Sequence, residues 1–170
     1  MLIETERMIV RDFKSDDVND LHEILGDAET MKYCEPAYHF EKTRKFLEEF
    51  CIAKKGAVAA ALKGSNKVIG YILFKPLEEA VYEIGWIFNK KYWRRGYAYE
   101  ACSELIAYGF RELNIHKVVA ETIDSEKSAG LMEKLGMKRE GVQKSQAKDE
   151  LGNPADLYLY GLESLKEKSE

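Results

Sequence analysis

Apolar residues recur along this chain with two periods, and the switches between them mark out its elements. Alternation with a period of two runs through residues 3–13 and predicts a first strand, with Ile9, Val10 and Phe13 as candidate core positions. Ser15-Asp16-Asp17 then offers an N-cap followed by acids, and Val18, Leu21, Ile24 and Leu25 follow at helical spacing. Thr43, Phe46, Leu47, Phe50 and Cys51 form a second helical stripe. Between the two helices lies Met31-Lys32-Tyr33-Cys34-Glu35-Pro36-Ala37-Tyr38, an aromatic loop broken by proline, suited either to lining a site or to packing. Residues 57–63, the turn Gly64-Ser65-Asn66-Lys67 and residues 68–74 predict strand, turn and strand, and residues 81–88 a further strand. Ala98, Ala101, Cys102, Leu105, Ile106, Phe110 and Leu113 fall on one face of a third helix. Residues 117–123 predict a buried strand, and residues 128–135 a short helix stopped by Gly136. Residues 137–147 and 156–162 predict two strands joined by a turn around Gly152-Asn153-Pro154. This order predicts a mixed α/β (α+β) fold: a largely antiparallel sheet flanked by helices, with one crossover unit.

Composition narrows the class. The 170 residues, 45% hydrophobic and 11% aromatic, are enough for a sizeable core, and three prolines with no Ser/Gly-rich run leave no linker. One domain over residues 1–170 is expected. Residues 1–7 lack the basic and apolar regions of a signal peptide, and no stretch reaches the length of a membrane span. Cys34, Cys51 and Cys102 are scattered, with no C-x-x-C pair, which argues against a disulfide scaffold and against a zinc site. A cytoplasmic protein without a metal is the expectation. The net charge of −4 gives no support to a nucleic-acid surface.

One local feature departs from that acidic balance. Lys90, Lys91, Arg94 and Arg95 sit beside Trp93-Arg94-Arg95-Gly96-Tyr97-Ala98-Tyr99-Glu100-Ala101, a basic glycine turn between a strand and a helix. Such a charge run serves either as a solvated face or as an anion contact. Glycine lets backbone approach a ligand, and a helix start leaves N–H donors unpaired at the positive end of the dipole. A phosphate or pyrophosphate suits that arrangement. No G-K-[ST] follows the glycine, so a P-loop nucleotide hydrolase is not indicated.

Residues 4–11, 82–87, 92–101 and 128–137, in that order, resemble the GNAT N-acetyltransferases, and within them the Rim-type branch of ribosomal-protein alanine N-acetyltransferases. Glu4-Thr5-Glu6-Arg7-Met8-Ile9-Val10-Arg11 resembles that branch's "T-x-R-L-x-L-R" opening, and Tyr82-Glu83-Ile84-Gly85-Trp86-Ile87 its "E-I-G-Y-W" strand. The glycine turn resembles the family's Q/R-x-x-G-x-G/A pyrophosphate motif, and Ser128-Ala129-Gly130-Leu131-Met132-Glu133-Lys134-Leu135-Gly136-Met137 the "S-x-x-V-x-E-K-L-G-F" helix. The resemblance implies an acetyl-CoA-dependent acyltransferase whose pantetheine lies between two splayed parallel strands, paired with Trp86-Ile87-Phe88. It places the pyrophosphate on the amides from Arg94 through Arg95, Gly96 and Tyr97 to Ala98, with the Arg94 and Arg95 guanidinium groups either contacting phosphate or remaining solvated. Three positions depart from the pattern. Trp93 takes the place of Gln or Arg, Ser125 takes the place of an asparagine that touches the cofactor, and Met132 takes the place of a tyrosine that protonates the leaving thiolate.

For the chemistry, the resemblance singles out Glu83 as the candidate base, acting directly or through a water; a structural carboxylate is the alternative. Ser128 is the remaining candidate near the thiolate, its alternative being a helix N-cap. Backbone N–H groups near Phe88 suit an oxyanion-type role. His22, His39 and His116 each stand alone, His39 within the candidate substrate region, and Asp156 suits a structural hydrogen bond. The acceptor expected is a protein or peptide N-terminal α-amine. A small amine such as a polyamine, an amino-sugar antibiotic or an amino acid is the alternative, as is a non-catalytic acetyl-CoA-binding module. Strand edges near the C-terminus would allow a homodimer.

Overall fold

The computed structural model describes residues 1–165. The chain runs β1 (Leu2–Glu4), β2 (Met8–Asp12), α1 (Val18–Leu25), α2 (Phe40–Phe46), β3 (Ala57–Leu62), β4 (Val68–Glu78), β5 (Val81–Phe88), α3 (Tyr97–Glu112), β6 (Lys117–Thr122), α4 (Lys127–Lys134), β7 (Lys138–Lys148) and β8 (Pro154–Glu163). The strands form one sheet in the order β1-β2-β3-β4-β5-β6-β8-β7. Every neighbouring pair is antiparallel except β5 and β6, which the crossover helix α3 joins in parallel. The predicted mixed, mostly antiparallel architecture is the one observed. No helix among the described residues is long and apolar enough to cross a membrane.

The first predicted strand is corrected to a hairpin. Residues 5–7 turn the chain so that Leu2 pairs with Arg11 and Glu4 with Ile9. The Thr5 amide donates to the Met8 carbonyl at 2.9 Å and the Thr5 hydroxyl accepts from the Met8 amide at 3.0 Å, a local competition that ends the strand. The turn also resets the inward positions: Met8 and Val10 are buried while Ile9 is half-buried. The second helical stripe is α-helical only through Phe46, then widens into a π-helical segment, Leu47–Ala53. Thr43, Leu47 and Cys51 remain buried along it.

The sheet separates two apolar layers. On one face α3 and α4 bring Ala101, Cys102, Leu105, Ala129 and Met132 against Ile72, Ile84, Phe88 and Val118. On the other, α1 and the π-helical segment after α2 bring Leu21, Ile24, Leu25 and Leu47 against Ala57, Ala59, Ala61 and Tyr71. A strand covered on both faces needs apolar residues throughout, which is why the run Ala57-Val58-Ala59-Ala60-Ala61 lacks alternation. Helix α4 ends in Gly136 at φ 92, where the Gly136 and Met137 amides reach back to the Glu133 and Met132 carbonyls at 2.9 and 3.0 Å. That pattern stops the helix as its sequence predicts.

Candidate active site

The parallel pairing that α3 creates is short. Strand β5 pairs with β6 only at Val81–Lys117, Tyr82–Val118 and Glu83–Val119. Beyond Glu83, β5 keeps its ladder with β4 as far as Phe88, and β6 keeps its ladder with β8 as far as Thr122. The strands therefore splay into a V whose closed end is at Glu83 and Val119. A register shift in β4 between Pro76 and Glu78 lies opposite the closed end and adds twist there. Among the described residues the β6-facing edge of residues 84–88 has no strand partner, which leaves a row of peptide groups available to a ligand.

A cavity of about 210 Å³ fills the open arm of the V. Its walls are Gly85, Trp86 and Ile87 of β5, Glu121 and Thr122 of β6, Ser128 and Met132 of α4, Tyr71 and Leu73 of β4, and Tyr33 and Cys34 of the aromatic loop. Gly85 keeps this space open: a Cβ there would meet only Leu73, at 3.6 Å. The aromatic loop thus does reach the cavity, whereas no residue of the turn around Gly152 lines it.

Glu83 is half-buried at the closed end, two residues before Gly85 and on the same face of β5. Burial, reinforced by the negative charge of Glu121, pushes its carboxyl above the usual range, while Lys75 across the β4–β5 ladder opposes the shift. Glu121 is a residue that sequence reasoning missed. Only the pairing of β6, which sets Glu121 two positions beyond Val119, brings it beside Glu83.

At the far end of β5 the chain enters the glycine turn. The Trp93 indole Nε1 donates to the Phe88 carbonyl at 2.7 Å, fastening the turn to the strand end. Arg94 (φ 62) and Gly96 (φ 79) both adopt left-handed backbone before α3 begins at Tyr97. Gly96 is the N-cap and provides no capping side chain, so the first-turn amides of Tyr97 and Ala98 keep their donors. Arg94 and Arg95 are exposed and form no ion pair among the described residues. Lys127, at the start of α4, lies 5.8 Å over the Trp93 ring and adds a cation beside the turn. The basic run divides: Lys90 is held by Asp27 at 3.0 Å and by Glu29 at 3.5 Å, so its charge is already committed to carboxylates.

Helix α4 forms the wall opposite β5. Ser128 is not its cap: the N-cap position is Glu126, which makes no side-chain cap bond, and Asp124 Oδ1 just ahead of it accepts from the Glu126 and Lys127 amides at 3.0 and 3.1 Å. The helix starts one residue earlier than predicted, and Ser128 becomes a first-turn residue facing the cavity. Met132 lies one turn further along the same face and is buried. Ser125 is exposed in the connection between β6 and α4.

The histidines lie elsewhere. His39 Nδ1 accepts the Lys42 amide at 3.2 Å and caps α2, and His22 Nδ1 lies 2.9 Å from Thr43 Oγ1. His116 is exposed at the start of β6. Asp156 accepts from the Ser145 amide at 3.0 Å and meets Lys144 at 3.3 Å, a structural role within the β7–β8 hairpin. Among the described residues no group of three or more His, Cys, Asp or Glu is placed to hold a metal ion.

Comparison with known proteins adds four findings. Residues 7–138 match the model of the acetyltransferase (GNAT) domain. The uncharacterized N-acetyltransferase YnaD of Bacillus subtilis (strain 168) is 37% identical over 153 residues, spanning 85% of this chain and 86% of that protein. Among solved structures, an acetyltransferase (GNAT family) from Bacillus anthracis superposes with a TM-score of 0.88 at 34% identity, covering 96% of this chain and 98% of that one. RimL, a ribosomal L7/L12 alpha-N-protein acetyltransferase in complex with coenzyme A, superposes with a TM-score of 0.82, covering 96% and 98% of the two chains. Its identity of 17% makes that last likeness one of fold.

Proposed function

This chain belongs to the GNAT acetyltransferase family, and on that premise we propose that it moves an acetyl group from acetyl-CoA to the N-terminal α-amine of a protein or peptide. The observation that carries the reading is the splay of β5 from β6 beyond Glu83. It creates a free strand edge, an open cavity and a carboxylate at the closed end, with an anion turn at the other end of the same strand.

Acetyl-CoA supplies an activated acyl carbon, a diphosphate and two pantetheine amides, and the residues present fit each part. The free edge at Trp86, Ile87 and Phe88 would pair with the amides, beside the open face that Gly85 leaves without a side chain. The amides from Arg94 to Ala98, at the positive end of the 16-residue helix α3, would hold the diphosphate, with Arg94 and Arg95 as forks beside it. Ser125 would offer a hydroxyl where the family has an amide side chain. Backbone N–H groups near Phe88 would polarise the acyl oxygen.

Glu83 would take the proton from the amine, directly or through a water. An α-amine, with a pKa near 8, is roughly one-tenth neutral at pH 7, whereas a lysine near 10.4 is far less so. A carboxylate raised by burial is a sufficient base for that task. Ser128, on the α4 wall, would donate a hydrogen bond to the departing thiolate, a role that Met132 has no proton to fill. Alignment of amine and thioester in the cavity supplies most of the remaining rate. A cationic small amine is the second reading, favoured by Glu83 and Glu121 lying together at the acceptor side.

The test is release of free CoA thiol from acetyl-CoA in the presence of peptides with free Ala or Ser N-termini, the same peptides N-formylated, and spermidine. Turnover restricted to the free peptides supports the first reading. Turnover restricted to spermidine establishes the second.

A further inference from the structure

The opening motif Thr5-Glu6-Arg7 has no role in the mechanism above, yet it is tied to the anion turn by hydrogen bonds across more than ninety residues of chain. Glu100, in the first turn of α3, accepts from Thr5 Oγ1 at 2.6 Å, from the Arg7 amide at 2.9 Å and from Arg7 Nε at 2.7 Å. The same guanidinium donates through Nη1 to the Arg95 carbonyl at 2.9 Å and lies 4.0 Å from the Tyr97 ring centroid. Its Nη2 is 3.5 Å from where a Cβ on Gly96 would stand. One side chain from the β1–β2 turn therefore braces residues 95, 96 and 97 together.

Two physical needs explain such a brace. The turn holds a non-glycine residue, Arg94, at φ 62, a conformation that persists only when its surroundings hold it. The turn also has a carboxylate, Glu100, one helical turn from the amides offered to the diphosphate. Burial alone would raise that carboxyl, but the hydrogen bonds from Thr5 and Arg7 outweigh it and hold the group below its usual range. Glu100 is thus charged, and Arg7 is its neutralising partner.

We propose that Arg7 is a positioning residue for the acetyl donor: it holds the turn from Arg95 to Tyr97 in its diphosphate-binding shape and cancels the Glu100 charge beside it. The inference rests on the placement of acetyl-CoA given above. It requires no contact between Arg7 and the donor.

Two donors separate this role from general support of the fold: acetyl-CoA, and S-acetylpantetheine, which has the same thioester but no diphosphate. Arg7→Ala is expected to raise the KM for acetyl-CoA by about ten- to a hundredfold, the loss of one bridging charged hydrogen-bond set. The KM for S-acetylpantetheine moves less than about twofold on the same scale. Arg7→Ala/Glu100→Gln recovers part of the loss, because no unpaired carboxylate is left. Arg7→Lys, which restores charge without the fork, falls between and serves if the alanine variant does not fold. Equal KM increases for both donors, or none for acetyl-CoA, overturn the positioning role. A wild-type enzyme with equal KM values for the two donors overturns the diphosphate placement itself, and the proposal with it.

Discussion

A negative charge introduced at Gly96 tests the donor site at its most constrained residue. Gly96 has φ 79 and ψ 7, so any L side chain there costs about 1–2 kcal/mol of backbone energy. Space is not an obstacle, since the nearest atom to a new Cβ is Arg7 Nη2 at 3.5 Å. Gly96→Gln and Gly96→Glu carry the same backbone cost and nearly the same volume, and differ by one charge. At about 6 Å from each of two phosphate charges, with an effective dielectric between about 40 and 80, that charge adds about 1.4 to 2.8 kcal/mol of repulsion. The expected outcome is acetyl-CoA binding about ten- to a hundredfold weaker for Gly96→Glu than for Gly96→Gln. Calorimetric titration at about 10 mM and about 1 M salt, where the Debye length falls from about 30 to about 3 Å, should show the gap close as salt rises. Equal affinities for the two folded variants at low salt would refute the placement of the diphosphate on this turn.

Glu83→Gln should lower kcat/KM by about a hundredfold and flatten the acid limb of its pH profile, measured by CoA release between pH 6 and 9. The same substitution bears on stability. Burial and Glu121 raise the Glu83 carboxyl in the folded state, so its contribution is full below the unfolded glutamate value and is lost as pH rises through the raised one. Glutamine removes that loss, and the gain in Tm should be larger at pH 8 than at pH 4; equal shifts at both would contradict the assigned cause. Gly85→Val should leave Tm nearly unchanged, since Leu73 is its only neighbour, while raising the KM for acetyl-CoA; calorimetry and donor titration check both halves. Asp124→Ala removes the acceptor for the Glu126 and Lys127 amides at the entry to α4 and should cost about 1 kcal/mol, seen as a Tm lower by about 2–4 °C in a melting curve.

Elements with one buried face were legible in the chain, and those defined by a distant partner were not. Residues 81–88 read as a strand and form one over the same residues, because its β-branched and aromatic content suits a pleated surface. The stripe Ala101, Cys102, Leu105 and Ile106 read as a buried helix face for the same kind of reason. The hairpin at residues 5–7 escaped notice because its turn contains neither glycine nor proline; a threonine hydroxyl and a carboxylate ninety-odd residues away make it. Asp124 was not singled out at the entry to α4 because Ser128 is an equally good capping type and lies closer to the apolar run. The one local clue was Asp124 standing three residues before Lys127. Glu121 had no local clue, since its relation to Glu83 depends on the β5–β6 register.

The contrast between donor and acceptor sides follows from which atoms do the work. The site proposed for the donor is built largely from backbone: a free strand edge, first-turn amides, and a glycine at 85 that leaves room. Backbone sites demand particular residues over a short contiguous stretch, so they leave a motif that a linear reading can detect. The cavity proposed for the acceptor is walled by side chains of separate elements: Tyr33 and Cys34 from a loop, Tyr71 and Leu73 from β4, and Glu121 from β6. Tyr33, Cys34 and Glu121 line the cavity without belonging to either core layer, so exchanges there leave the fold in place, whereas Tyr71 is buried in the layer under α1. Acceptor identity can therefore change while the turn from Trp93 to Ala101 stays the same. Exchanges at Tyr33, Cys34 and Glu121, and not at the glycine turn, are where the choice of amine is to be sought.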